Sequence, residues 1–312
     1  MTEAVKSTGP GVPVIDYEGS GYKSDFWADQ GREYEDAVER IAISRLLPVT
    51  GRRVAEIGAG FGRLADLYLG YEQIVLMDYS RTLLRDAVER WGDDPRFVFV
   101  AGNLYQLPLA SNVLDSLVMV RVMHHLADVP AALRHLARVV HSQSTLVLEY
   151  ANKRNLKALA RWVSRKQDWS PVGREPVEFV ELNFDFHPAW MEKQLADARI
   201  EVRRRYGVSH FRLNAIKRRI SAPVLAKLDS AFFGVGGMYP LGPSVFVQGA
   251  APLAGPRAAA STSPQEVAAL FACPECGHSG LVRSAEDQVV CPACGSTYAR
   301  QQQIWDFKDK IG

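Results

Sequence analysis

Val54-Ala55-Glu56-Ile57-Gly58-Ala59-Gly60-Phe61-Gly62-Arg63-Leu64 is the stretch of sequence on which the reading of the fold turns. It leaves an apolar, strand-like run and enters a segment with helical spacing. That is the context of a nucleotide-type ligand at the carboxyl edge of a parallel sheet. Glycines there permit a tight turn and let the backbone approach a ligand closely. A dinucleotide fingerprint is spaced G-x-G-x-x-G and sets a pyrophosphate on the helix N-terminus. Here the spacing is G-x-G-x-G, and Glu56 stands two positions before the first glycine. A carboxylate at that point repels a pyrophosphate and suits an ammonium, which points to a cationic amino-acid nucleotide.

Around this loop, strand-like and helix-like segments alternate. The strands are Arg53–Ile57, Gln73–Met77, Arg96–Val100, Leu114–Val120 and Ser144–Glu149. Helical spacing fills Leu64–Leu69, Arg81–Trp91, Asp128–Val140 and Leu156–Val163. Such alternation predicts right-handed crossovers and an α/β fold with a parallel sheet covered on both faces. Beyond Pro188 the expected order is a helix at Trp190–Ala198, a strand at Ile200–Tyr206, a helix at Asn214–Leu228 and a last strand at Ser244–Gln248. Upstream, Phe26–Leu47 has helical spacing and ends at Pro48. The chain thus divides into a helical cap (1–48), a central domain (49–249) with an insertion at about 153–198, an Ala/Pro/Ser/Thr-rich linker (250–263) and a C-terminal module (264–312). That module opens on Ser263-Pro264-Gln265-Glu266, which has the pattern of a capped helix start.

Asp78 ends the second strand, where a ribose diol would lie and a carboxylate accepts both hydroxyl hydrogens. The third strand leads into Gly102-Asn103-Leu104, and the fourth closes with Arg121 and then His124-His125-Leu126. With these residues in order over about 100 positions, the first ~250 residues resemble a class I S-adenosylmethionine-dependent methyltransferase. The likeness is to the broad type-11 group that includes the quinone-biosynthesis enzymes. The resemblance implies a Rossmann-like seven-stranded sheet in the order 3-2-1-4-5-7-6, with strand seven antiparallel. It implies S-adenosyl-L-methionine as cofactor, bound by the loop of Gly58, Gly60 and Gly62 at its methionine portion. It has Glu56 supporting the loop or the amino group, Asp78 and Tyr79 at the ribose, Asn103 and Leu104 at the adenine, and Arg121 as a loop anchor or carboxylate clamp. Asn103 departs from the Asp often found there; its carbonyl still accepts from the adenine amine, without a charge-assisted bond.

Methyl transfer from a sulfonium is an in-line displacement that gains mainly from positioning. A base is needed where the acceptor must lose a proton. Candidates are His125 and His124, which read equally as anchors of the strand-four loop, and Glu149 at the end of strand five. Tyr22, Trp27, His125 and Tyr150 are candidates for the acceptor pocket; the N-terminal aromatics read as well as packing for a capping helix.

The last 40 residues hold all four cysteines, Cys273-Pro-Glu-Cys276 and Cys291-Pro-Ala-Cys294, each pair followed by glycine. Two knuckles of this kind supply four soft ligands for tetrahedral zinc and leave no open position, a structural site in a module too small for a core of its own. The other reading is redox or disulfide pairs. The module resembles the small zinc-ribbon protein that partners several RNA- and protein-modifying methyltransferases in trans. Cys-Pro-x-Cys-Gly occurs twice, an apolar helix precedes it, and Ile304-Trp305-Asp306-Phe307 follows.

With 37 Lys+Arg against 35 Asp+Glu, net charge alone announces no nucleic-acid binder. The imbalance is local: residues 151–219 carry sixteen basic and eight acidic side chains. Lys153, Lys157, Arg161 and Arg165 form a stripe spaced by four, which reads as a solvated helix face or as a surface for an anionic acceptor. The insertion is also rich in Trp, Phe and His, as a pocket lid would be. The preferred expectation is therefore a small-molecule acceptor methylated at oxygen or nitrogen. The alternatives are an RNA or protein acceptor docked on the ribbon, and a cofactor-binding protein without turnover. No apolar run reaches the ~18 residues of a membrane span, and Met1–Asp16 is polar. A cytoplasmic enzyme is the expectation.

Overall fold

The computed structural model describes residues 5–6, 11–21, 27 and 31–311. Its centre is a sheet of seven strands: β1 (Gly51–Ile57), β2 (Tyr71–Asp78), β3 (Phe97–Ala101), β4 (Leu114–Met119), β5 (Val140–Ala151), β6 (Glu201–Val208) and β7 (Ser244–Ala250). They lie in the order β3-β2-β1-β4-β5-β7-β6, and β7 runs antiparallel to both neighbours. This is the order and direction expected. β1 to β4 are buried along most of their length because helices cover both faces, which is why they read as unbroken apolar runs.

One face carries α1 (Glu33–Leu46), α2 (Arg81–Trp91) and α6 (Ala222–Met238); the other carries α3 (Val129–Val139) and α5 (Pro188–Asp197). Between β5 and α5 the insertion contributes α4 (Leu156–Val163) and the hairpin Val177–Val180/Asn183–Asp185. The helices begin where the sequence supplies a cap: Ser80 Oγ accepts from Leu83 N, Asp128 from Ala131 N and Asn155 from Ala158 N.

Three expectations need correction. Leu64–Leu69 forms only the 3-10 turn Ala65–Tyr68, because the glycine loop uses up most of the residues that join β1 to β2. The helix expected at Asn214–Leu228 is broken; Pro223 in the first turn of α6 forces a new start, and α6 runs on to Met238. Its C-terminal glycines let it lie backbone to backbone on β6, where a Cβ on Gly237 would come 1.9 Å from Arg205 O. Finally, Ser263 caps no helix: its hydroxyl bonds Gln265, and Pro264–Leu270 is a 3-10 segment kinked at Glu266.

Residues 250–263 cross the amino ends of the strands as a packed strap. Gly255 O accepts from Ser142 N, and Ala258 N donates to Asn112 O. The guanidinium of Arg53 reaches Ser261 O at 2.6 Å. The strap delivers the C-terminal module to the far edge of the sheet. There β8 (Val282–Ala285), β9 (Gln288–Val290), β10 (Thr297–Gln301) and β11 (Ile304–Asp306) form an antiparallel ribbon. β11 pairs in parallel with β3, Trp305 opposite Val100, and continues the central sheet to eleven strands. Phe271, Trp305 and Phe307 complete the same apolar core as α3.

Candidate active site

At the carboxyl end of β1, Gly58, Gly60 and Gly62 all have positive φ. The N–H groups of Gly58 and Ala59 donate to Met77 O at 2.8 and 2.9 Å, and Gly60 N donates to Asp78 Oδ2 at 2.7 Å. The loop is therefore folded back on β2 and held by the carboxylate at its end. Asp78 also accepts from Ser80 N, and burial pushes its pKa up. At Gly58 any side chain is excluded, since a Cβ would lie 2.1 Å from Val122 Cγ2.

A cleft runs along this edge. Its walls include Gly58, Gly60, Asp78, Tyr79, Leu104, Arg121 and His125, all chosen from the sequence, together with Gly102, Tyr105 and the N-terminal residues Pro13–Ile15 and Tyr17. Asn103 and Gly62 are not among its walls. Asn103 turns its side chain back to accept from Tyr105 N, capping the 3-10 turn Leu104–Gln106, as its preference for local backbone bonds favours. Gly62 packs under α2, its carbonyl accepting from Trp91 Nε1.

Glu56 opens onto an adjoining recess with Gly58, Gly60, Arg63, Arg121 and Trp27. It is buried and its Oε2 has no hydrogen-bond partner among the described residues. Burial, only partly offset by the nearby Arg63, pushes its pKa up to about 8. On the far side of the recess, Glu39 joins Arg63 (2.8 Å) and Arg121 in a buried bridge. Both guanidiniums face the Trp27 ring, at 3.8 and 5.0 Å. Tyr22 lies outside the described residues.

The catalytic candidates are placed as follows. Glu149 is buried with both oxygens taken: one accepts from Arg121 N at 2.9 Å, the other from Ser244 Oγ. It thereby supports the positive φ of Arg121. Tyr150, next in a strand whose side chains alternate, points to the opposite face and is buried in the core that contains Phe186 and Met191. It lines neither the cleft nor the recess. His125 Nε2 accepts from Tyr17 OH (3.2 Å), and its Nδ1 faces Leu182 O (3.3 Å), so the ring clasps the N-terminal segment to the insertion hairpin. The His124 ring lies beside it, centroids 3.9 Å apart and tilted by 44°; burial, with His125, Arg121 and Arg212 near it, holds its pKa well below the usual imidazole range.

A second cavity of about 1000 Å3 lies at the same edge, beyond β5 and β6. The sequence reading did not identify its polar core. Asp229, fully buried on α6, accepts from Tyr34 OH (2.6 Å), from His210 Nδ1 (2.5 Å) and from His210 N. His210, Arg212 and Asp185 line the cavity with Trp169 and Phe179. Burial pushes Asp185 up to about 6. His210 and Asp229 are 19 residues apart in separate elements, so no spacing rule links them.

In the ribbon, Cys273 and Cys294 Sγ are 3.6 Å apart, as are Cys276 and Cys291, and all four lie within 4.8 Å of one another. Gly277 and Gly295 have the positive φ that the knuckles require, and each donates its N–H back to the first cysteine of its pair. No disulfide is formed.

Residues 55–148 match the family model described as a methyltransferase domain. A probable S-adenosylmethionine-dependent methyltransferase of Mycobacterium tuberculosis is 32% identical over 116 residues, 36% of this chain and 41% of that protein. The chain thus spans less than half the length of this relative. Among solved structures, a chain of the complex between the Haloferax volcanii Trm112 methyltransferase activator and a methyltransferase superposes with a TM-score of 0.51. It is 17% identical, over 73% of this chain and 97% of that one. A SAM-dependent methyltransferase of Thermotoga maritima gives 0.51 at 18% identity, over 75% and 97%. The protein has the class I methyltransferase fold.

Proposed function

We propose that the protein is an S-adenosylmethionine-dependent methyltransferase whose acceptor is a small molecule held in the second cavity. One observation carries the cofactor assignment: the buried, unpartnered Glu56 oxygen faces the same glycine loop that Asp78 fastens. Ionising a buried Glu56 whose Oε2 is unpaired is costly, and an ammonium from the cofactor's methionine end is the partner that stabilises the charged form. Arg63 and Arg121 are set to take the methionine carboxylate, Asp78 the ribose hydroxyls, and Leu104 and Tyr105 the adenine.

When bound, the cofactor supplies a methyl on a positively charged sulfur, open to in-line attack. The chain's own contribution is alignment and exclusion of water. The clasp of His125 between Tyr17 and Leu182 closes the N-terminal segment and the hairpin over the cleft. His210, oriented through Nδ1 by Asp229, is the group on the cavity wall best set to take a proton from the acceptor. The cavity's size falls at the upper end of small-molecule sites, which supports a compact acceptor over a polymer. In the ribbon, the spacing of the four thiols fits a single tetrahedral zinc with sulfurs at ~2.3 Å. Its role in this reading is structural.

Calorimetric titration with S-adenosylhomocysteine tests the cofactor site. Asp78→Ala is expected to weaken binding by roughly 1–3 kcal/mol; unchanged affinity removes Asp78 from it. Transfer of labelled methyl into fractionated host lysate then tests the acceptor. Label in the small-molecule fraction supports this reading, and label confined to RNA or protein replaces it.

A further inference from the structure

Helix α6 is apolar on both sides. Its inner side chains, among them Leu225 and Phe233, are buried against the sheet. Its outer side presents Val224, Leu228, Phe232, Val235 and Met238, the last two 62% and 71% exposed, and Lys227 is the one charged residue among them. A helix apolar all round is normally covered on its second side as well. Of the nineteen large apolar side chains exposed among the described residues, fourteen fall between Leu156 and Tyr239.

The patch continues beyond the helix. Leu156 N donates to Leu241 O at 2.9 Å, which brings the start of α4 against the segment after α6. The Phe232 ring meets Phe211 edge-on. Leu156, Phe179 and Leu213 are both exposed and part of the second cavity's lining, so the cavity opens on this side. Lys157, Arg161 and Lys166 line it too and are exposed. No acidic residue interrupts the chain from Lys153 to Lys166.

The charge decides between occupants. A second copy would press two copies of the basic stretch Lys153–Lys166 together, and RNA would leave the apolar row of α6 uncovered. An anionic bilayer meets both features: apolar side chains enter the boundary between headgroups and acyl chains while Lys and Arg meet the phosphates. No helix among the described residues is long and apolar enough to cross a membrane.

We infer that this face docks on an anionic lipid bilayer, with the outer side of α6 at the headgroup boundary and α4 against the phosphates. Because the cavity opens there, the acceptor, on the methyl-transfer reading above, is an amphiphile taken from that membrane.

Co-sedimentation of the full chain with vesicles tests this without any turnover. Binding is expected to vesicles of mixed phosphatidylglycerol and phosphatidylcholine, to weaken with salt, and to be slight on phosphatidylcholine alone. Val235→Ser with Met238→Ser, and separately Lys157→Glu with Arg161→Glu, are each expected to lower binding by about tenfold. Both variants should keep wild-type S-adenosylhomocysteine affinity and melting temperature, which separates lost docking from lost folding or a lost cofactor site. Absence of sedimentation with anionic vesicles overturns the inference, as does wild-type binding by both variants. A dimer in light scattering that Val235→Ser with Met238→Ser dissolves would give the face to a second copy and overturn it too. Retention of RNA in place of vesicles would do the same.

Discussion

The ammonium of Lys308, which follows the ribbon's last strand, lies 3.8 Å over the ring of Tyr79 and donates to Tyr79 O at 2.9 Å. Tyr79 follows Asp78 and lines the cleft. The ribbon is thus tied to the ribose end of the proposed cofactor site. Around this contact Arg81 bonds Asp306, while Glu18 accepts from Arg81 N and Thr82. The N-terminal segment, the start of α2 and the ribbon meet at one corner of the cleft.

Lys308→Ala should therefore weaken S-adenosylhomocysteine binding by roughly 0.5–2 kcal/mol, through loss of the cation–π contact and a hydrogen bond to Tyr79. Calorimetry on the full chain measures this directly. Affinity equal to wild type would mean that the ribbon touches the cleft without supporting it.

Glu56 makes cofactor binding depend on pH. Its pKa is pushed up to about 8 by burial, and the partner proposed for it requires the ionised form. Below about pH 8 binding must release a proton, so affinity should rise from pH 6 to 8 and level off above. The ligand-free fold responds in the opposite sense. An unfolded Glu56 ionises near its ordinary 4.5, so stability falls as pH rises from there to about 8. Glu56→Gln should flatten both profiles; calorimetry in buffers of different ionisation enthalpy counts the proton.

One zinc per chain is expected from elemental analysis of reduced, undenatured protein. A strong chelator should loosen the ribbon, because the metal is what would join its two cysteine knuckles. Since Trp305 lies in β11 and is buried in the shared core, its fluorescence should shift to the red as the ribbon leaves β3. Metal-free protein with an unshifted spectrum would remove the metal from the ribbon's stability.

The Asp229 cluster should matter more to the fold than its distance from the glycine loop implies. Asp229→Ala strands the Tyr34 hydroxyl and the His210 ring, with an expected cost of about 2–4 kcal/mol in denaturant unfolding. Asp229→Asn keeps one acceptor oxygen and should cost less. If His210 takes the acceptor's proton, His210→Gln should lower kcat and leave S-adenosylhomocysteine affinity unchanged.

The family resemblance implied the sheet order, while the sequence by itself determined the alternation of strands and helices, the glycine loop, Asp78 at the end of β2 and the cysteine cluster. Each depends on spacing within a short stretch: strand and helix periodicity, positive-φ glycines, a carboxylate one strand away from its loop. Tertiary structure alone decided the remainder. Asn103 and Tyr150 stand at plausible positions along the chain, but local capping and strand alternation turn their side chains away from the cleft. The pairing of His210 with Asp229 is created by α6 lying on β6, which depends on glycines whose absent side chains leave no hydrophobic signal to read. The docking of β11 on β3 is a backbone event, fixed by an open sheet edge and a strap of the right length. It gives Lys308 a place beside Tyr79 that no motif in the ribbon announces.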